Sequence, residues 1–353
     1  MTDLAVIRIA VVADTSLQRH ILQQFLLKKG YQVVLNSAPQ HLDIDALRAC
    51  QTDLWLYDAL CSTDQDCIAL EYFLTEPSAP VLFGEGSAPE RSSEDYPRWE
   101  RSLLKKIMCL TPHMDVMQTV NEASSIMSIN SGQLPRIELP QRLAKQACLQ
   151  EPSQKVWLLA ASMGGPQAVK AFLDVLPKGL PIGFIYAQHI DPSFEGHLPQ
   201  AVGRHSAWPV RLFSEYPCVR QGEVVIAPVQ HELSFADNGY MQVFETPWSG
   251  PYSPSIEQMM CNLAQYYGHH CGVIVFSGMG SDGSVAAEYV QQQGAQVWTQ
   301  SAESCACSSM PDSVRAAGYS SLSATPEGLA QALVQHVLNQ YTQYNDDVER
   351  KIS

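Results

Sequence analysis

The chain has 353 residues, of which 46% are hydrophobic and 16% are charged, and its formal net charge at pH 7 is −14. This length allows two domains with separate cores, while the acidic balance argues against nucleic acid and anionic membrane surfaces, because both require basic partners. No apolar run of the sequence approaches the roughly 18 residues that a membrane helix needs, and the first residues lack the pattern of a secretory signal, so we expect a cytoplasmic protein without membrane insertion.

Strands and helices alternate in the first 120 residues. Apolar runs predict strands at Ile7–Val12, Tyr31–Leu35, Asp53–Tyr57 and Pro80–Phe83. Helical spacing of apolar residues predicts helices at Leu17–Lys29 and Trp99–Cys109. This alternation is typical of a parallel sheet covered by helices. Residues 121–152 are polar and contain no strand candidate, so we predict a linker there, with a short helix near Gln141 to Cys148.

Residues 153–345 repeat the alternating pattern. Strands are predicted at Lys155–Ala160, Ile182–Ala187, Glu223–Ala227, Val273–Ser277 and Ala295–Thr299, with helices from Pro166 and at Ser284–Gln293. The predicted fold class is therefore α/β, with two doubly wound, mostly parallel-sheet domains joined by a linker. Such sheets carry their functional sites at the carboxyl ends of the strands.

Three short motifs follow strands of the second domain. In Ala161-Ser-Met-Gly-Gly-Pro166, Ser162 lies at a turn from strand to helix, where backbone N–H groups can stabilise an oxyanion. Gly164 and Gly165 allow a tight turn and the close approach of a reactant. A helix cap with glycines that merely turn the chain would give the same pattern, so this motif alone does not identify a nucleophile.

The other two motifs supply a base and an acid. His189 follows the strand Ile182–Ala187, and a serine nucleophile needs a base of this kind. Asp282 lies in Gly278-Met-Gly-Ser-Asp-Gly283 and would accept the Nδ1–H of the histidine.

The third motif also matches the GxGxxG pattern of dinucleotide-binding proteins. A carboxylate beside the pyrophosphate, and the lack of an acidic residue after the strand ending at Thr299, disfavour that interpretation. The residues alone leave a serine hydrolase and an oxidoreductase open.

Six stretches resemble the catalytic domain of chemotaxis protein-glutamate methylesterases: Ala161–Gly165, Ala187–Ile190, Val225–Pro228, Ser253–Ile256, Ser277–Gly283 and Met310-Pro311. The resemblance implies a carboxylic ester hydrolase with the triad Ser162, His189 and Asp282, acting on γ-methyl glutamate esters of a methyl-accepting chemoreceptor. Some members of the family also deamidate receptor glutamines. The resemblance implies that the backbone amides of Met163 and Met279 form the oxyanion hole. Position 163 is commonly threonine in the family, a departure that leaves the nucleophile intact.

The first domain, residues 1–120, resembles a degenerate response-regulator receiver. Asp58 occupies the phospho-acceptor position, which implies a sensor histidine kinase as a second partner. Asp14 is preceded by Ala13 instead of a second acidic residue, and Gly84-Glu85 offers no hydroxyl after the fourth strand. Asp58 is then a leftover carboxylate, and we expect a docking or covering domain that does not respond to phosphodonors. The two-domain arrangement is most similar to methylesterases of pilus-linked, twitching-motility systems.

No cofactor or metal is expected. The ten cysteines form no CxxC pair, so no thioredoxin-like motif or zinc ribbon is predicted. Two alternatives to the esterase remain: an oxidoreductase that binds a dinucleotide at Gly278–Gly283, and a non-catalytic signalling adaptor, which would have no need of the three triad residues.

Overall fold

A computed structural model describes residues 6–59, 64–75, 77–84, 88–89, 93–111, 139 and 152–352. The chain divides into two compact units, residues 1–134 and 135–353. The predicted linker, including the short helix predicted near Gln141 to Cys148, lies outside the described residues except at positions 139 and 152. The predicted domain boundaries therefore stay predictions.

The first unit contains a four-stranded parallel sheet with the order β2-β1-β3-β4. Its strands are β1 (Arg8–Ala13), β2 (Gln32–Ser37), β3 (Leu54–Asp58) and β4 (Val81–Phe83). Its helices are α1 (Ser16–Lys28), α2 (Ile44–Ala49), α3 (Asp64–Thr75) and α4 (Tyr96–Leu110). All six predicted elements of this segment are present, with bounds shifted by up to three residues, whereas α2 and α3 were not predicted.

The second unit contains a seven-stranded parallel sheet with the order β13-β12-β11-β5-β6-β8-β7. Its strands are β5 (Val156–Ala161), β6 (Gly183–Gln188), β7 (Val210–Leu212), β8 (Val224–Ile226), β11 (Cys271–Val275), β12 (Gln296–Gln300) and β13 (Leu322–Ala324). A separate antiparallel hairpin joins β9 (His231–Phe235) to β10 (Met241–Pro247). The helices are α5 (Gly165–Val175), α6 (Leu198–Gly203), α7 (Ile256–Tyr267), α8 (Ala286–Gln292), α9 (Ser309–Ala316) and α10 (Pro326–Ile352).

Helices cover both faces of the seven-stranded sheet. Apolar residues of α5, α6 and α10 pack on one face, around Phe172 and Leu333. Residues of α7, α8 and α9 pack on the other, around Met260 and Val314. The strands that lie between these layers are buried along their length, which explains their continuous apolar sequences. The doubly wound α/β prediction is confirmed.

The strand order places a topological switch point at β5. The chain proceeds from β5 to β6 on one side, and it later returns to add β11 on the other side of β5. At such a point the loops that leave the carboxyl ends diverge to opposite faces and leave a crevice between them. The segments after β5, β6 and β11, which carry all three predicted catalytic residues, therefore meet at one edge of the sheet.

Candidate functional site

Ser162 directly follows β5, three residues before α5 begins. Its N–H donates to the carbonyl of Ser277 beyond β11, at 3.0 Å. A Cβ added to Gly278 would lie 2.9 Å from the Cβ of Ser162. Backbone contacts therefore hold the serine beside the loop that carries Asp282.

Gly164 and Gly165 make room for neighbouring protein atoms. Gly164 has a φ of +74°, and a Cβ there would lie 2.8 Å from the Oγ of Ser277. A Cβ on Gly165 would lie 2.2 Å from the Oε1 of Gln188. The positive φ of Gly164 agrees with the predicted tight turn, and both glycines admit the packing of neighbouring segments. The close approach of a reactant stays a prediction.

His189 and Asp282 form a direct pair. The distance from His189 Nε2 to Asp282 Oδ2 is 2.9 Å, and the exposed fractions of the two side chains are 12% and 1%. Because a carboxylate oxygen only accepts, Nε2 carries the proton and Nδ1 is left as the basic nitrogen. The predicted pairing of these residues is present, but the prediction that Nδ1–H faces the carboxylate is wrong.

The carboxylate of Asp282 is held by the first turn of α7. Its Oδ2 accepts the N–H of Ile256 at 2.8 Å, and its Oδ1 accepts the N–H of Glu257 at 2.9 Å. The positive end of the helix dipole lies at the same place. Three donors and this dipole stabilise the negative charge, so Asp282 is suited to stabilise an imidazolium at His189.

Tyr252 stacks on the imidazole of His189. The ring centroids are 5.1 Å apart and the planes differ by 7°. The ring and the carboxylate together restrict the rotation of the histidine. No functional role was predicted for Tyr252, although the neighbouring Ser253–Ile256 stretch was recognised as a motif; the stacking itself depends on tertiary contacts that no local pattern encodes.

The sheet register completes the alignment of the serine and histidine segments. Ala161 pairs with Gln188 across β5 and β6, and the N–H of His189 donates to the carbonyl of Ala161 at 3.0 Å. Ser162 and His189 therefore leave adjacent strands at the same level. The structure brings Ser162, His189 and Asp282 to one edge of the sheet.

Two backbone amides near Ser162 are available as donors. Among the described residues, neither the N–H of Met163 nor that of Met279 has a protein acceptor, and both residues are partly exposed. They lie in the two segments that follow β5 and β11, on either side of the switch point. Amides in this arrangement can stabilise the negative charge that develops on a carbonyl oxygen.

The Gly278–Gly283 turn does not match a dinucleotide site. A Cβ on Gly278 would lie 2.7 Å from the Cε of Met310, so its surface is already covered by protein. In a dinucleotide site the second glycine of the pattern, here Gly280, lets the backbone approach the pyrophosphate. A Cβ on Gly280 would lie 3.0 Å from the hydroxyl oxygen of Tyr252, so this position is also covered by protein. The carboxylate of Asp282 is engaged with His189 and α7, as described above.

Within the described parts of the chain, no group of three or more His, Cys, Asp or Glu side chains is arranged to hold a metal ion. Burial raises the pKa values of Cys271 and Cys305 to about 12, which disfavours the thiolate form at neutral pH. Among the helices that the structure describes, none is long and apolar enough to cross a membrane.

Asp58 is the last residue of β3 in the first unit, at the carboxyl edge of that sheet. The amide of Gln18 donates to its Oδ2 at 2.5 Å and accepts the N–H of Ala88 at 3.0 Å. Arg19 donates to the carbonyls of Ala13 and Asp14 at the end of β1. Glu85, which was predicted to replace the receiver hydroxyl, lies outside the described residues.

The chain is similar to known proteins over nearly its whole length. Residues 157–333, half of the chain, match the family model described as CheB methylesterase. A protein of Myxococcus xanthus named protein-glutamate methylesterase/protein-glutamine glutaminase 5 is 25% identical over an alignment of 351 residues that covers 96% of this chain and 100% of that protein. A protein of Bdellovibrio bacteriovorus with the same activities in its name is 25% identical over 88% of this chain and 92% of its own length.

Other similarities cover the catalytic part alone. A protein-glutamate methylesterase/protein-glutamine glutaminase 1 of Saccharophagus degradans is 32% identical over 165 residues, and the match spans 46% of this chain and 45% of that protein. The solved catalytic domain of the Thermotoga maritima CheB methylesterase aligns with a TM-score of 0.49 and 26% identity, over 51% of this chain and 97% of that domain. On the family-model match, this chain belongs to the CheB methylesterase family, as the resemblance of its motifs predicts.

Proposed function

We propose that the chain hydrolyses γ-methyl glutamate esters of methyl-accepting chemoreceptors, with Ser162 as nucleophile, His189 as general base and Asp282 as the orienting acid. The observation that carries this proposal is the His189–Asp282 pair, at 2.9 Å, on the sheet edge where Ser162 leaves the adjacent strand. Membership of a family whose relatives are named protein-glutamate methylesterases supports the choice of substrate.

The first half of the reaction forms an acyl-enzyme. The Oγ of Ser162 attacks the ester carbonyl carbon, and its proton passes to Nδ1 of His189. The amides of Met163 and Met279 stabilise the oxyanion. When the tetrahedral intermediate collapses, the C–O bond to the methoxy group breaks and His189 returns its proton to that oxygen, so methanol leaves.

The second half releases the product. His189 takes a proton from a water molecule, which attacks the acyl carbon of the Ser162 ester. When the second intermediate collapses, the bond from the acyl carbon to Oγ of Ser162 breaks and His189 returns its proton to that oxygen. This restores the serine and leaves a glutamate side chain. With a glutamine side chain the leaving group is ammonia, and the same residues catalyse the deamidation that the relatives' names include.

The finer predictions on partners rest on the resemblance. A methylated chemoreceptor is the proposed substrate, acting in the cytoplasm, and the pilus-linked, twitching-motility system stays a prediction from the domain arrangement. For the first unit we propose a domain that does not respond to a sensor histidine kinase. The contact between Gln18 and Asp58 supports this, because an amide donor already occupies the carboxylate that would accept the phosphoryl group.

The decisive experiment measures methanol release from a methylated chemoreceptor. Ser162→Ala and His189→Ala are each expected to lower kcat by on the order of 10³-fold or more, because the residual rate comes from the oxyanion hole and binding alone. His231→Ala is the matched control, since His231 is exposed on β9. A folded Ser162→Ala protein that releases methanol at the wild-type rate contradicts the proposal.

A further inference from the structure

The two N–H groups of the proposed oxyanion hole belong to peptide units whose carbonyl oxygens accept hydrogen bonds from the protein. In a trans peptide the N–H points opposite to the carbonyl of the preceding residue. The N–H of Met163 and the carbonyl of Ser162 belong to one such planar unit, so fixing the carbonyl also fixes the direction of the N–H. That carbonyl accepts the N–H of Gly165 at 2.9 Å and the amide of Gln188 at 2.7 Å. Two hydrogen bonds therefore fix the plane of the peptide unit that carries the first donor.

The second donor has the same arrangement. The N–H of Met279 shares a peptide unit with the carbonyl of Gly278. That carbonyl accepts hydrogen bonds from the N–H of Met310 at 2.9 Å and from the hydroxyl of Ser309 at 3.3 Å. Both carbonyls are thus anchored within the protein, whereas the two N–H groups have no protein acceptor among the described residues. The two peptide units differ in one respect: Gln188, which holds the carbonyl of Ser162, also donates to the carbonyl of His189, the residue proposed as base.

Gln188 joins the segments of the nucleophile and the base through one carboxamide. Its Nε2 donates to the carbonyls of Ser162 and His189 at 2.7 and 2.9 Å, and both of its protons are used. Its Oε1 accepts the hydroxyl of Tyr186 at 2.6 Å. The side chain is 4% exposed, so water does not replace these bonds easily.

Two neighbours fix the orientation of this carboxamide. Tyr186 is fully buried, and burial raises its pKa well above the usual value, so the phenol stays protonated and keeps donating to Oε1. A Cβ at position 165 would lie 2.2 Å from Oε1, so the carboxamide fits only because that residue is glycine. The absence of a side chain at Gly165 therefore makes room for Gln188 at the end of β6.

We infer that Gln188 is a positioning residue, which aims the N–H of Met163 at the oxyanion by holding the carbonyl of Ser162. This inference rests on the proposed function. A donor aligned before the reaction needs no reorganisation as charge develops, and its stabilisation is realised in the transition state. Loss of the anchor therefore lowers kcat and leaves KM nearly unchanged.

The test compares Gln188→Leu with Asn262→Leu. Asn262 is a buried amide at 7% exposure whose Nδ2 also donates twice, to Glu232 and to the carbonyl of Leu233, both in β9. Both variants lose stability by the removal of buried hydrogen bonds. For Gln188→Leu we expect kcat to fall about 10- to 100-fold, below the full effect of deleting an oxyanion donor, with KM within about twofold, whereas Asn262→Leu keeps both constants.

A second variant covers the case in which Gln188→Leu fails to fold. Gly165→Ala leaves the carboxamide in the sequence but forces it away from its position, because the new Cβ would lie 2.2 Å from Oε1. The same Cβ would lie 2.7 Å from the Cβ of Ala161, so this variant also displaces the end of β5. Position 165 has no positive φ, so alanine is compatible with the backbone. We expect the same fall in kcat without a comparable change in KM.

Labelling with ¹⁵N-methionine reports on the peptide unit directly, since both proposed oxyanion donors are methionines among the eleven in the chain. Gln188→Leu is expected to move the amide signal of Met163, assigned with Met163→Leu, while Asn262→Leu leaves it in place. If the wild type is active and Ser162→Ala is not, but folded Gln188→Leu or Gly165→Ala keeps kcat within about twofold, the role of Gln188 is refuted. A wild type that releases no methanol refutes the proposed function and, with it, this role.

Discussion

Asp282→Asn exchanges one carboxylate oxygen for an NH₂ group in a site where both oxygens accept hydrogen bonds. Among the residues that the structure describes, Oδ2 faces two donors, Nε2–H of His189 and the N–H of Ile256, whereas Oδ1 faces one, the N–H of Glu257. The amide therefore keeps its oxygen at the Oδ2 position and turns its NH₂ toward Glu257. This orientation preserves the proton on Nε2 and removes only the negative charge.

The magnitude follows from that orientation. A hydrogen bond to a charged group contributes about 1.5–3 kcal/mol, and each 1.36 kcal/mol is tenfold in rate, so loss of the charge lowers kcat by roughly 10- to 150-fold. The opposite orientation would force the other tautomer, for which the fall is on the order of 10⁴-fold. The donor of Glu257, left facing an NH₂ group, costs about 1–3 kcal/mol of the free energy of unfolding.

The assay is methanol release together with thermal unfolding. Asp237→Asn is the matched control, because Asp237 is exposed in the turn between β9 and β10. For a unit of this size the stability loss corresponds to a Tm lower by roughly 2–10 °C. An unchanged rate refutes the orienting role of Asp282, and a 10⁴-fold loss refutes the assignment of the amide orientation.

Three further predictions concern other parts of the chain. Burial, and then the charge of Lys155, lowers the pKa of His336 in the folded state. The unfolded chain therefore takes up this proton first, and the free energy of unfolding declines as the pH falls below about 6.5. His336→Gln should reduce this decline, measured by urea unfolding between about pH 5 and 7.5, and an unaltered pH dependence contradicts the assignment. Calorimetric titration with NAD or NADP should detect no binding, because Met310 covers Gly278 and Tyr252 covers Gly280; binding that Gly278→Ala abolishes would revive the oxidoreductase alternative. A small phosphodonor with Mg²⁺ should leave methanol release unchanged, since Gln18 already donates to Asp58; a several-fold activation that Asp58→Asn removes would show a working receiver.

The sequence was informative where the chemistry is local. The buried strands of a parallel sheet are continuous apolar runs, and Ser162, His189 and Asp282 each follow such a run closely. Parallel strands end at one edge, so linear order was enough to predict that these residues meet. For the same reason the doubly wound fold could be predicted, although strand bounds shifted by a residue or two.

What supports these residues could not be predicted in the same way. The amides that hold Asp282 belong to α7, 25 and 26 positions earlier in the chain, and Tyr252 reaches His189 across 63 positions, from residue 189 to residue 252. A backbone N–H carries no sequence signal, because every residue other than proline has one. The β9–β10 hairpin was missed because its second strand is exposed and mostly lacks the apolar alternation of a half-buried strand.

The nitrogen assignment of His189 shows how tertiary contacts decide chemistry that motifs leave open. A Ser-His-Asp pattern is compatible with either imidazole nitrogen facing the acid, because the ring can rotate by half a turn. Here the acid is fixed by α7 and the ring plane by Tyr252, and the carboxylate meets Nε2. The base is then Nδ1, the nitrogen nearer the backbone, so the nucleophile must approach close to the strand end that carries His189. The direct pairing of Ala161 with Gln188 supplies that approach, and the carboxamide of Gln188 ties the two segments at that level.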